Sequence, residues 1–180
     1  ILDIKLDSDA GKLREDIELI EGVYDDFSAD DYLAGITAPV FFGSALNNFG
    51  VFELLTTFTG IAPSPGKRET DTRIVEPHEE QFSGFVFKIH ANLDPRHRDR
   101  IAFLRVCSGR FEKDKPFLHT RSKKDRRFST PYTFMASRKS IVSEAYPGDV
   151  VGLYDRGDLK IGDSLTEGEH FTFRGIPHFS

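Results

Sequence analysis

The segment "FSGFVFKIHANLDPRHRDRIAFLRVCSG", Phe82 to Gly109, decides how this chain folds. Its first part alternates, and Phe85, Phe87 and Ile89 fall on one side of an extended chain, since successive side chains of a strand point to opposite faces. Asn92-Leu93-Asp94-Pro95 then supplies turn chemistry, and "RIAFLRVCSG" opens a second β-rich run. Two such runs joined by a turn predict an antiparallel pair.

The same punctuation continues downstream. "KPFLHTRS", "FSTPYTFMA", "DVVGLYD" and "HFTFRG" read as further short strands. Between them stand Ser108-Gly109, Pro147-Gly148-Asp149, Arg156-Gly157-Asp158 and Ile161-Gly162-Asp163. Short strands at close spacing with Gly/Pro turns predict a small antiparallel β-barrel or sandwich.

Upstream the period changes. Leu13, Ile17, Ile20, Tyr24 and Phe27 recur at steps of three and four, which predicts a helix over Asp9 to Phe27. Ser28, with Asp31 three residues on, can cap a short helix that Gly35 closes. The apolar run 36–42 reads as a buried strand, and Asn47 or Asn48 as the cap of a helix carrying Val51, Leu54, Leu55 and Phe58. Helix, strand, helix in this order suggests the last piece of an α/β domain. "GIAPSPGKRETDTR" has two prolines, two glycines and no period, and so reads as a linker. The expected organisation is α+β: residues 1–65 as an α/β piece and residues 66–180 as the barrel.

Charge divides at the same place. Residues 1–65 hold 12 acids against 3 Lys/Arg, and residues 66–180 hold 17 acids against 21 Lys/Arg. The overall net charge of −5 thus hides an acidic first part and a basic second part with different expected partners. No apolar run approaches the roughly 20 residues of a membrane span, and no membrane partner is expected. A chain that opens on Ile1 inside a charged segment is expected to be a fragment without a signal peptide. The single cysteine, Cys107, excludes an intrachain disulfide and reads as a small buried hydrophobe in a reducing, cytoplasmic setting.

Several catalytic patterns are missing. Gly60 and Gly66 do not have the Walker spacing, and Arg68 stands where a Ser/Thr would bind magnesium. The six histidines form no H-x-x-x-H pair, so no metal site is expected. No nucleophile elbow or isolated carboxylate pair marks acid–base chemistry. The basic clusters carry more. "DPRHRDR" places Arg96, Arg98 and Arg100 in one expected loop, and Lys123, Lys124, Arg126 and Arg127 form a second group. Together they suggest a surface that tracks phosphates, reading backbone rather than bases. The competing reading is two solvated hairpins whose interspersed acids weaken the field.

One further stretch, "APVFFGSALNNFGV" (Ala38 to Val51), places Gly43, Ser44, Ala45 and Leu46 at the end of the apolar run. Small residues there let a flat ligand approach backbone N–H groups, and an ordinary strand-to-helix turn tolerates them equally.

The order of "FSGFVFKIHANLDPRHRDRIAFLRVCSGRFEK", "TFMA", "EAYPGDVVGL", "IGDSLTEGE" and "FRGIPHF" resembles the second domain of bacterial peptide-chain release factor three, a family of translational GTPases related to elongation factor G. "LIEGVYDDFSADDYLAGITAPVFFGSALNNFGVFELL" resembles the end of that family's GTP-binding domain. The resemblance implies a translation-factor barrel following the C-terminal part of a GTP-binding domain. It implies that Ser44, Ala45 and Leu46 correspond to the family's fifth guanine-nucleotide motif. GTP or GDP with magnesium is implied as the cofactor of the full-length protein, with none expected for this fragment. The family's phosphate loop, switches and Asn-Lys-x-Asp motif are absent from these residues, so no GTP hydrolysis is expected of them. Implied partners are the ribosome, through small-subunit RNA, and stop-codon-reading release factors. DNA is not expected. A monomer, or a weak dimer through an exposed strand edge, is expected. The alternatives are an elongation or ribosomal-protection GTPase fragment, or a free-standing RNA-binding barrel. His90 and Leu93 depart mildly from the family's usual Gln and Met, and residues 113–136 depart more.

Overall fold

A computed structural model describes residues 9–91, 100–135 and 138–176. The chain divides into two compact units, Ile1–Pro63 and Ser64–Ser180.

The first unit is built of helices. α1 (Asp9–Val23) stops four residues short of Phe27. Asp25 and Asp26 follow its end, where carboxylates oppose the helix dipole. α2 (Ala29–Leu33) begins as its sequence predicts: the Asp31 N–H donates to the Ser28 hydroxyl at 3.2 Å. α3 (Val51–Ile61) starts from Gly50 with no side-chain cap. The expected Asn cap is therefore not formed, and Asn48 instead takes a left-handed conformation that ends a 3-10 turn, Ala45–Asn47.

The strand expected over residues 36–42 is also absent. The segment forms no ladder, and Val40 and Phe42 are 77% and 84% exposed. A strand exists only through its ladder, and no other described segment of this unit pairs with it. The strand edge expected to promote dimerisation is accordingly not there. What this unit exposes is apolar side chains, among them Leu19, Val40, Phe42 and Phe52.

The second unit is almost entirely β. A small ribbon of β1 (Arg68–Glu69) and β2 (Ile74–Val75) precedes the long pair β3 (Ser83–Ala91) and β4 (Arg100–Ser108). Then follow β5 (Phe111–Glu112), β6 (Phe117–His119), β7 (Lys124–Arg126), β8 (Tyr132–Met135), β9 (Arg138–Ile141), β10 (Glu144–Ala145), β11 (Val150–Asp155) and β12 (Ser164–Thr166). Eight strands form one antiparallel sheet in the order β7-β6-β12-β3-β4-β11-β8-β9, and β5 pairs with β10 beside it.

The sheet is rolled. Phe117 of β6 and Leu153 of β11 belong to one buried cluster with Phe82, Val86, Leu104 and Phe111. These two strands are four places apart in the order, roughly 19 Å across a flat sheet at about 4.8 Å per strand. One continuous apolar cluster therefore runs across the sheet through Leu165, Val86 and Leu104, as the expected barrel requires. Phe82, Phe111 and Phe117 fill its interior, with ring centroids 4.3 to 5.7 Å apart. A second, smaller cluster on the other face joins Val75, Phe85, Cys107, Phe171 and Phe173.

Two strand expectations are corrected. The alternation Phe85, Phe87, Ile89 is broken by an irregularity between Val86 and Lys88. The extra residue shifts the parity, so Val86 and Ile89 pack on the barrel interior while Phe85 faces the second cluster. "HFTFRG" forms no strand. It is held by a single bridge, Thr70 to Phe173, and by the Thr172 N–H donating to Asp71 Oδ1 at 2.8 Å. The strand of this region is β12, wedged between β3 and β6.

Cys107 lies in the second cluster, 5% exposed, and burial pushes its thiol up to about 12, against the pull of Arg68 and Arg105. A thiol so protonated is a poor nucleophile. Alkylation with iodoacetamide at pH 8 is expected to be slower by at least about tenfold for the folded chain than in denaturant. Equal rates would contradict the burial.

Candidate nucleic-acid interface

The β6–β7 hairpin carries most of the sequence-predicted cations. Its turn is closed by the Lys123 N–H donating to His119 O at 2.8 Å, with Lys123 at φ 54°. Lys123 and Lys124 are exposed. Arg126 pairs with Asp158 at 2.9 Å, and Arg127 donates to Asp114 O at 2.8 Å. Arg126 and Arg127 line a recess of about 400 Å³ together with Ser129, Thr130, Arg156 and the acids Asp155 and Asp158, which pair with Arg100 and Arg126. Within it the Arg126 Nε–H is buried and has no hydrogen-bond acceptor in the protein. A buried donor without a partner is rare and costly, so this one N–H is open to an acceptor oxygen from outside the protein.

Other predicted residues fall elsewhere. Arg96 and Arg98 lie outside the described residues. Arg100 is engaged internally: its Nε donates to Asp155 Oδ2 at 3.0 Å and its Nη2 to Leu159 O at 2.9 Å. Asp155 is buried, and its other oxygen accepts the N–H groups of Asp158 and Leu159. Arg100 thereby fixes the 155–159 turn that presents Arg156 to the recess, so its geometry is that of a positioning residue.

The floor beneath the hairpin is a second ionic cluster. Arg121 binds Asp163 through two bonds, Nε to Oδ1 at 2.6 Å and Nη2 to Oδ2 at 2.8 Å. The Lys160 N–H donates to the same carboxylate at 2.7 Å. His119, fully buried, places Nε2 2.9 Å from Asp163 Oδ2, while Nδ1 meets the Ser122 hydroxyl at 2.9 Å. Burial alone would raise the Asp163 carboxyl, but Arg121, the Lys160 N–H and His119 outweigh it and hold it below its usual range. This cluster ties the hairpin turn to the 160–163 turn. Sequence reading missed it because His119 and Asp163 lie 44 positions apart; the only signal was an acid directly after Gly162.

In the first unit the Ser44–Leu46 turn has a definite form. Ser44 bridges to Phe49, with N–H to O at 2.9 Å and the return bond at 3.1 Å, so the chain doubles back on itself. Gly50 needs its φ of 70°, and a Cβ there would lie 2.3 Å from Phe42 O. A Cβ on Gly43 would lie 2.8 Å from Phe49 O. The glycines are thus explained by this close approach alone. Ala45 and Leu46 stand at the start of the 3-10 turn, where N–H groups have no acceptor within the turn. Leu46 is 94% exposed.

The second unit is thus an antiparallel sheet with a basic hairpin, β6–β7, at one edge. Residues 81–168, just under half of the chain, match the family model for elongation factor G domain 2. Over these residues the chain is similar to that domain, and the match supports a translational GTPase of the elongation-factor-G type. No helix among the described residues is long and apolar enough to cross a membrane.

Proposed function

We propose that this chain is part of a cytoplasmic translation termination factor which, as the whole protein, binds GTP with magnesium and recycles stop-codon-reading release factors from the ribosome. The observation that carries the ribosomal part is the match of residues 81–168 to elongation factor G domain 2. The termination part rests on the resemblance of the long motifs "NLDPRHRDRIAFLRVCSG" and "AYPGD". In this reading the barrel faces small-subunit RNA through Lys123, Lys124, Arg126, Arg127 and Arg156. The turn Ser44, Ala45 and Leu46 borders the guanine base through the Ala45 and Leu46 N–H groups, and Arg96 and Arg98, outside the described residues, are further candidate RNA contacts. These residues contain no phosphate loop, so the fragment contributes binding and no hydrolysis. A second reading, an elongation-type GTPase fragment, fits the match of residues 81–168 to elongation factor G domain 2 equally well.

The test is co-sedimentation with small ribosomal subunits. Lys123→Glu with Lys124→Glu is expected to weaken binding by about tenfold or more near 100 mM salt and to lower the salt slope by about one per lost phosphate contact. Binding equal to the unmodified chain would remove the hairpin from the interface.

A further inference from the structure

The face of the barrel opposite its main interior carries a groove of about 570 Å³ that no predicted residue occupies. Four cations line it: Arg68 on β1, Lys88 on β3, Arg105 on β4 and Arg174 in the tail that follows Phe173. No carboxylate lines it, and among the described residues none of the four has an acidic partner. Lys88 instead rests over the Phe103 ring at 5.7 Å. Arg174 is held in place by its N–H donating to Glu69 O at 3.0 Å. Between the cations the floor is apolar, and Phe87 and Val150 are each 37% exposed there.

We propose that this groove docks an acidic, amphipathic segment of a partner protein, with aliphatic or aromatic anchors on the floor and Asp/Glu side chains reaching the four cations. Charge complementarity selects an anionic occupant, because four unpaired cations around one groove repel each other until one arrives. The floor selects a peptide over nucleic acid. Bases need aromatic platforms to stack on, whereas of the two rings lining this groove Phe85 is buried and only Phe87 is open, beside aliphatic Val150 and Ile161. Phe87 is the extra residue of the β3 irregularity, which turns its ring outward instead of into the barrel. The proposal does not depend on the ribosomal reading, since the hairpin cations take no part in it.

The experiment is fluorescence anisotropy with the full chain and a short labelled peptide of alternating Asp/Glu and Leu/Phe. A control peptide carries the same charges with Ser in place of Leu/Phe. The amphipathic peptide is expected to bind about tenfold more tightly than the control. Lys88→Glu combined with Arg174→Glu is expected to weaken it by a further tenfold or more. If the double variant melts early, Arg174→Glu alone, in an exposed irregular segment, makes the same comparison. Equal binding of both peptides, no binding, or tighter competition by a U-rich RNA oligonucleotide would overturn the proposal, the last by making the groove a nucleic-acid site.

Discussion

Replacing Phe117 with alanine is expected to destabilise the barrel by about 3–5 kcal/mol, the range for truncating a fully buried phenylalanine. Phe117 has no solvent exposure, and its ring lies 4.3 Å from that of Phe82 and 5.1 Å from that of Phe111. The three rings come from before β3, from β5 and from β6, so no single local shift can refill the space. For a unit of this size the loss corresponds to a drop of roughly 10–20 °C in melting temperature. Thermal unfolding followed by circular dichroism checks it. Phe87→Ala is the comparison, because that ring is already 37% exposed and its loss should cost about 1 kcal/mol or less. Similar costs at the two positions would mean that the sheet is not rolled around Phe117.

Asp163→Ala is expected to cost about 2–4 kcal/mol. The substitution removes the acceptor of the Lys160 N–H and of Arg121, and leaves His119 buried beside no carboxylate. The cost falls short of that of a fully buried ion pair because Arg121 is 45% exposed and can turn to water. A pH dependence follows from the same contacts. The folded-state carboxyl is held below its usual value, so its stabilisation is complete above the unfolded value near pH 4 and is lost as pH falls through the folded value. Wild-type melting temperature should therefore decline more steeply below about pH 4 than that of Asp163→Ala. Parallel pH profiles would show that the carboxylate contributes nothing through its ionised form.

Both residues illustrate what the sequence made legible. The β3–β4 pair was readable because two long runs with period-two character flank a turn, and length suppresses ambiguity. β12 was not, because three residues between two glycine turns carry no period of their own; Ser164–Thr166 is a strand only because β3 and β6 lie on either side. The expected strand over 36–42 failed for the converse reason, an apolar run without a neighbour to pair with. The hairpin cations were legible because Lys123, Lys124, Arg126 and Arg127 are adjacent in sequence. Arg100 read as surface charge because its acidic partner, Asp155, lies 55 positions away. The four groove cations span residues 68 to 174 and become neighbours only through register, as where Phe85 stands opposite Arg105.

The central claim, that this barrel meets ribosomal RNA through the basic end formed by β6, β7 and the 155–159 turn, is tested most directly by a salt series. The unmodified chain would be titrated against purified small ribosomal subunits from low to high salt. Five cations contacting phosphates predict that log affinity falls with log salt at a slope of roughly −3 to −5. Absence of binding at low salt, or a slope near zero, would contradict the claim.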